Sequence, residues 1–190
     1  MISELIRKCR SYRRFCQDVE MSKGDLLEML NNARLSASGR NSQSLKYYIS
    51  LDDKSNRLIF PFLSWAGYLK DWPGPIEGER PAAYIVMVND TEITNNYFCD
   101  HGIAAQSILL TAVEKGFGGC IIASVNRDKL RESLSIPLRY EIIQIIALGK
   151  PKEIVEIDPL GSDGDIKYWR DANQIHHVPK RSLEDIVLNN

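Results

Sequence analysis

The sequence predicts one layered domain of mixed α and β structure, and three observations carry that reading. The chain has 190 residues, the length of a single domain. Helix-length and strand-length apolar segments alternate along it with no internal repeat and no low-complexity tract. Its 44% hydrophobic and 26% charged residues are an ordinary globular balance, so the core needs no disulfide framework to hold it.

Taken in order, residues 2–9 read as a short amphipathic helix with Leu5 and Ile6 on one side. Met21-Ser22-Lys23-Gly24-Asp25-Leu26 starts a stronger helix: Ser22 caps it, Asp25 returns the bond and Met21 staples onto Leu26. Leu26, Leu27, Leu30 and Ala33 are its expected buried stripe. Ser36 to Gln43, rich in Ser, Asn and Gly, reads as a loop before a strand from Tyr47 to Leu51. Pro61 to Pro81 is irregular around Trp65, Tyr68 and Trp72.

Ala83 to Val88 is a continuous apolar run, as for a strand covered on both faces. Asp100 to Lys115 is apolar nearly all round and should be a central helix, ended by Gly116 in the left-handed cap. Cys120 to Val125 is a further strand. Asn126 caps a helix through Leu130 and Leu134 that Pro137 stops. Glu141 to Leu148 is the last strong strand, closed by Gly149-Lys150-Pro151. Residues 1–190 thus form a single domain in which 153–190 is a weakly periodic tail. Without its own core, that tail is expected to dock on something, a partner subunit being one choice.

The net charge of −1 supplies no global field for nucleic acid or anionic lipid, so any anion site must be a local patch. Cys9, Cys16, Cys99 and Cys120 form no C-x-x-C pair, which suits free thiols and a cytoplasmic location. No apolar stretch approaches the roughly 20 residues of a membrane span. The basic run from Ile6 to Phe15 resembles a transit peptide less than it first suggests, because Glu4, Asp18 and Glu20 flank it.

Three segments offer chemistry. In Arg10-Ser11-Tyr12-Arg13-Arg14-Phe15, guanidinium forks and a hydroxyl suit phosphate oxygens, although an isolated basic run is more often a solvated face. The Ser36–Gln43 loop can offer donors and acceptors to a heteroaromatic ring, or simply connect two elements. Gly116-Phe117-Gly118-Gly119-Cys120 follows a helix and opens a strand, the reverse of a dinucleotide-binding fingerprint. Its glycines either let a flat ligand approach the backbone or serve a cap and a tight turn. His176 and His177 are adjacent and lack helical ligand spacing, and no Cys or carboxylate cluster completes a set, so no metal site is expected.

In register, these pieces resemble the nitroreductase family of FMN-dependent oxidoreductases. Cys9-Arg10-Ser11-Tyr12-Arg13-Arg14-Phe15 is similar to that family's R-R-S-x-R-x-F stretch, and Ala37 to Leu45 to its P-S-S-x-N-x-Q-P-W segment. Asp100 to Gln106 matches the start of its central helix, and Gly116 to Cys120 its G-x-G-T-C-W-I segment. Ile136-Pro137, Leu148 to Pro151 and Lys180 to Glu184 follow in the family's order.

The resemblance implies an α+β sandwich: an antiparallel-rich central sheet with helices on both sides, assembled as a homodimer with FMN at the interface. It assigns Arg10, Ser11, Arg13 and Arg181 to the phosphate and ribityl end, and Ser38 and Asn41, from the other subunit, to the flavin. It also assigns the backbone of Ala123 and Ser124 to the ring. The implied activity is hydride transfer from NAD(P)H through flavin N5 to a nitroaromatic, quinone or similar small acceptor, with no catalytic side chain. A relative devoted to one physiological substrate, such as an enone or halogenated aromatic, and a flavin-binding protein without turnover are the alternatives. The chain departs from the family pattern where Cys9 replaces an arginine, Ala37 a proline and Ser44-Leu45 a Pro-Trp pair.

Overall fold

The computed structural model of the chain describes residues 1–189. The N-terminal half contains α1 (Ile2–Lys8), β1 (Phe15–Cys16), α2 (Lys23–Leu35), β2 (Leu45–Ser50), α3 (Asp53–Arg57) and β3 (Ala83–Asp90). After it come α4 (Asp100–Glu114), β4 (Gly118–Ile122), α5 (Arg127–Leu134) and β5 (Tyr140–Pro151). The tail adds β6 (Val155–Pro159), β7 (Trp169–Arg170), β8 (His176–Lys180) and α6 (Leu183–Ile186).

Strands β1, β5, β3 and β2 pair in that order and β4 also pairs with β5, every pair antiparallel. The sheet is buried on both faces because β3 and β5 alternate their apolar side chains between two layers. Ile85, Met87, Ile146 and Leu148 pack with α2 and α4, while Tyr84, Val86, Ile145 and Ala147 pack with Ile59, Leu63, Trp65 and Leu130 of α5. A bulge between Met87 and Val88 shifts the β3–β5 register. Helices on both sides of an antiparallel sheet are the expected α+β sandwich.

Local chemistry sets the helix ends. Asp25 N–H donates to Ser22 Oγ (3.1 Å) and Ser22 N–H to Asp25 Oδ2 (3.0 Å), so α2 begins on a complete capping box. Asn126 Oδ1 accepts from Lys129 N–H at the start of α5. Gly116 (φ +78°) ends α4 in the left-handed region.

Several expectations need correcting. The buried residues of α2 are Leu26, Met29 and Ala33, whereas Leu27 is 52% exposed and Leu30 only packs at the margin. The i, i+3, i+7 row passes through Met29 and leaves Leu27 about a third of a turn away. In α4, Ile103 and Gln106 are exposed, so this helix has an open face rather than an apolar surround. The strand expected from Cys120 to Val125 runs from Gly118 to Ile122, and Val125 instead bridges Leu63. The helix expected over residues 2–9 forms as α1 and ends at Lys8; none of its residues is buried, whereas Cys9 just beyond it is.

The tail has more order than its periodicity shows. In a three-stranded sheet, β6 lies parallel and β7 antiparallel to β8. This sheet sits on the N-terminal segment of its own chain: Lys152 N–H donates to Arg14 O (3.0 Å), and the backbone N–H groups of Arg13 and Arg14 donate to Glu153 Oε1. The Glu153 side chain is fully buried, and Oε2 accepts from Arg170 Nη2 at 2.9 Å. Beyond it, α6 has its own capping box but buries no residue.

Candidate functional site

The segment after α1 is pinned against β4, where Tyr12 N–H donates to Gly119 O (3.0 Å) and Ser11 bridges Gly119. A side chain at Gly118 would stand 2.5 Å from the Tyr12 ring, and one at Gly119 2.5 Å from Ala147 O. These two glycines therefore serve packing of the chain on itself. The close approach brings the arginines to the rim of a cavity of about 320 Å³. Its lining is Cys9, Arg10, Ser11, Arg13, Gln106, Leu109 and Ile121, with Tyr168, His176, Val178 and Lys180 from the tail.

Arg10, Arg13 and Lys180 take part in none of the ion pairs found among the described residues. Arg10 Nη2 donates to Ile6 O (2.9 Å), while its Nε is buried without a partner. Arg13 lies over the Tyr168 ring, 4.7 Å from its centroid, and its Nη1 is 3.2 Å from His176 Nε2. Burial, then the charges of Arg13 and Arg170, push the His176 imidazole down to about 4, so it is neutral at ordinary pH. Burial also raises the Cys9 and Cys120 thiols, which disfavours reactive thiolates.

Arg14 has a different fate. Its Nε and Nη2 donate to Glu79 Oε2 (2.6 Å) and Oε1 (2.7 Å), and Lys152 Nζ adds a contact at 3.1 Å. The Arg14 bonds hold the Glu79 carboxyl down at about 2.

A second cavity, about 130 Å³, shares Arg13 and Ile121 with the first and is completed by Ser64 to Gly67 and Cys120 to Ser124. Ser64 N–H donates to Ser124 O (2.9 Å) and Asn126 N–H to Phe62 O (2.9 Å), which fixes the Trp65 turn opposite Ala123 and Ser124. Trp65 is buried and lines this cavity, Tyr68 is exposed and packs on Tyr168, and Trp72 carries Arg170 over its ring.

Arg10, Ser11 and Arg13 are therefore brought together, with Ala123 and Ser124 adjoining them through Arg13. Ser38 lies elsewhere, in a cavity of about 200 Å³. Its Oγ donates to the buried Asp100 Oδ2 (2.6 Å), and Gly39 N–H donates to Oδ1 (2.7 Å). Asn41 is exposed in the same loop, where Arg40, Asn41 and Gln43 all have positive φ. Arg181 is exposed and outside the lining, and Lys180 is the tail cation at the cavity.

Sequence reasoning missed Lys180, Tyr168 and His176, because only the folded tail sheet brings them to Arg13. It also missed that Glu156, Asp158 and His177 come within 4.8 Å of one another, with His177 Nδ1 2.8 Å from Asp158 Oδ2. A larger apolar cavity of about 390 Å³, beside Tyr48, Ile136 and Tyr140, contains none of the expected residues. The convergent donors, not cavity size, mark the site.

The fold is that of the nitroreductases. An FMN-dependent nitroreductase from Clostridium difficile R20291 superposes with a TM-score of 0.67 at 23% identity, covering 100% of this chain and 99% of that one. A nitroreductase family protein from Clostridium novyi NT gives 0.66 at 25% identity over 80% and 87% of the two chains. A candidate nitroreductase in complex with FMN, from Exiguobacterium sibiricum 255-15, gives 0.67 at 16% over 80% and 89%. No curated protein matches in sequence. Residues 76–150 match the Nitroreductase family model, so the stretch from before β3 to the end of β5 carries that family's pattern and the expected resemblance is shown. Ala123 and Ser124 fall within the stretch, whereas Arg10, Ser11, Arg13 and Lys180 lie outside it.

Proposed function

We propose that the chain is an FMN-dependent oxidoreductase that takes hydride from NAD(P)H and passes it to a small organic acceptor in ping-pong fashion. The observation that carries this reading is the cavity bearing Arg10, Arg13 and Lys180, none of them in an ion pair and Arg10 Nε buried without a partner among the described residues. Such a wall fits a phosphate monoester, which supplies several acceptors to fixed donors. When bound there, FMN supplies the two-electron chemistry at its ring.

The chain's own part is to bind and orient. Arg10, Arg13 and Lys180 hold the phosphate end, with Ser11 beside them and Arg181 next along the tail. Ala123 and Ser124 offer backbone to the ring, and Trp65 closes that cavity against water. Ser38 and Asn41, remote from Arg13 within one chain, reach the flavin from the partner of a homodimer. Exposed Ile103 on α4 and exposed Leu183 and Ile186 on α6 support such an assembly. Residues 1–190 act as one domain, with the end of the tail on the partner.

The test is an absorption spectrum of the purified protein, followed by anaerobic NADH and then NADPH. A yellow protein whose flavin bands bleach is the expected result. A colourless protein that takes up no added FMN would leave the function open. The alternative carried by the resemblance, a single compact acceptor such as an enone, is separated from this reading by the same preparation. Fast reoxidation by generic nitroaromatics would count against that alternative.

A further inference from the structure

Arg13, with Ile121, forms the wall common to the two cavities, and side chains of the tail contact its guanidinium. Tyr168 lies beneath it and His176 Nε2 beside it, 3.2 Å from Nη1. An arginine stays protonated at working pH, so its N–H donates and Nε2 accepts. The imidazole proton therefore sits on Nδ1, which is buried with no hydrogen-bond partner among the described residues.

The groups around this ring are Arg13 from the N-terminal segment, and Tyr168, Arg170 and His177 from the tail sheet. The nearby carboxylate, Glu153, accepts from Arg170 and from the Arg13 and Arg14 backbone, so the acceptors at the Arg13 guanidinium are both neutral: His176 Nε2, and Ser11 O at 3.3 Å from Nη1.

A guanidinium can be fixed by a carboxylate or by a neutral acceptor, with opposite consequences for an anion. The carboxylate holds it and offsets its charge; the imidazole holds it and leaves the charge intact. We propose that His176 is a positioning residue that fixes Arg13, as a neutral Nδ1–H imidazole, for the phosphate end of the cofactor. The proposal rests on the cofactor reading above. Burial and the two flanking arginines keep this imidazole neutral.

The experiment titrates the full-length native protein and three variants with FMN and with riboflavin, which lacks the phosphate. His176→Leu is expected to weaken FMN about tenfold and leave riboflavin unchanged. His176→Gln, whose amide oxygen can stand near the Nε2 position, should return to within about threefold of native. His176→Glu should bind FMN more weakly than His176→Leu, because it holds Arg13 but offsets its charge. Equal losses for FMN and riboflavin overturn the proposal, as does a His176→Leu variant that binds FMN like the native protein.

Imidazole nitrogen NMR of the unliganded native protein decides the point independently. Nδ1 protonated and Nε2 bare from about pH 5 to 8 is expected; an Nε2–H tautomer or a charged ring overturns it. A native protein that binds no FMN defeats the cofactor reading alone, and this spectrum still decides the role of His176.

Discussion

Two clusters of positive charge lie one residue apart in sequence and behave oppositely. Arg14 is held by both oxygens of Glu79, which also takes Lys152, so its charge is neutralised within the fold. Arg13 rests on Tyr168 and a neutral His176, and no side-chain carboxylate among the described residues forms an ion pair with it. Neighbouring residues on extended backbone point to opposite sides, so one short basic run can both fasten the chain and arm a cavity. What separates a structural arginine from a binding one here is the partner, not the residue type.

The comparison breaks most sharply at Glu79. Glu79→Gln leaves Arg14 partly buried without a counter-charge, and urea unfolding should show a loss of about 3–5 kcal/mol. FMN binding by the surviving folded fraction should be nearly native. A loss well under 1 kcal/mol would mean that the pair is idle.

Acid probes the same pair without mutation. The Glu79 carboxyl is depressed from 4.5 to about 2 in the fold. Its contribution, about 3 kcal/mol, is therefore present above pH 4.5 and is lost as pH falls toward 2. Equilibrium unfolding across that window should show the loss in the native protein and much less of it in Glu79→Gln.

Arg13→Ala should do the reverse. Removing a charged donor to phosphate is expected to cost about 1.5–3 kcal/mol of binding, or roughly ten- to hundredfold in Kd for FMN. Stability should change by less than about 1 kcal/mol. Adding Arg181→Ala, next along the tail from the cavity's Lys180, should release further FMN, with the fold still intact by circular dichroism. A double variant retaining its full flavin content at low concentration would remove the phosphate role from this segment.

The smallest effect serves as a control away from both clusters. Ser22→Ala removes the cap of α2 and should lower stability by about 1 kcal/mol in urea, with FMN affinity unaltered.

Most of the large sheet and its helices could be read along the chain. Ala83–Val88 and Glu141–Leu148 are unbroken apolar runs, and Ser22, Asn126 and Gly116 mark ends by local chemistry that needs no distant contact. Leu27 was misplaced because a row of leucines satisfies several helical faces at once, and only the sheet selects Met29. The tail was opaque for a different reason. Its strands are short, half-exposed and paired partly in parallel, so neither β6 nor β8 shows a strong period of two. The site shared that opacity: Arg10, Ser11 and Arg13 stood out as a basic motif, but Tyr168, His176 and Lys180 carried no pattern of their own.

By itself, the sequence determined a layered domain of mixed α and β structure, the order of the main elements and the basic segment where an anion would be sought. These rest on periodicity and on capping interactions only a few residues long. The tertiary structure decided which arginine keeps its charge, which glycines serve packing and which tail residues reach the cavity. Those outcomes depend on pairings such as Arg14 with Glu79 and Arg13 with His176, 65 and 163 residues apart. Contacts at such separations exist only once the sheet has closed, and no local pattern encodes them.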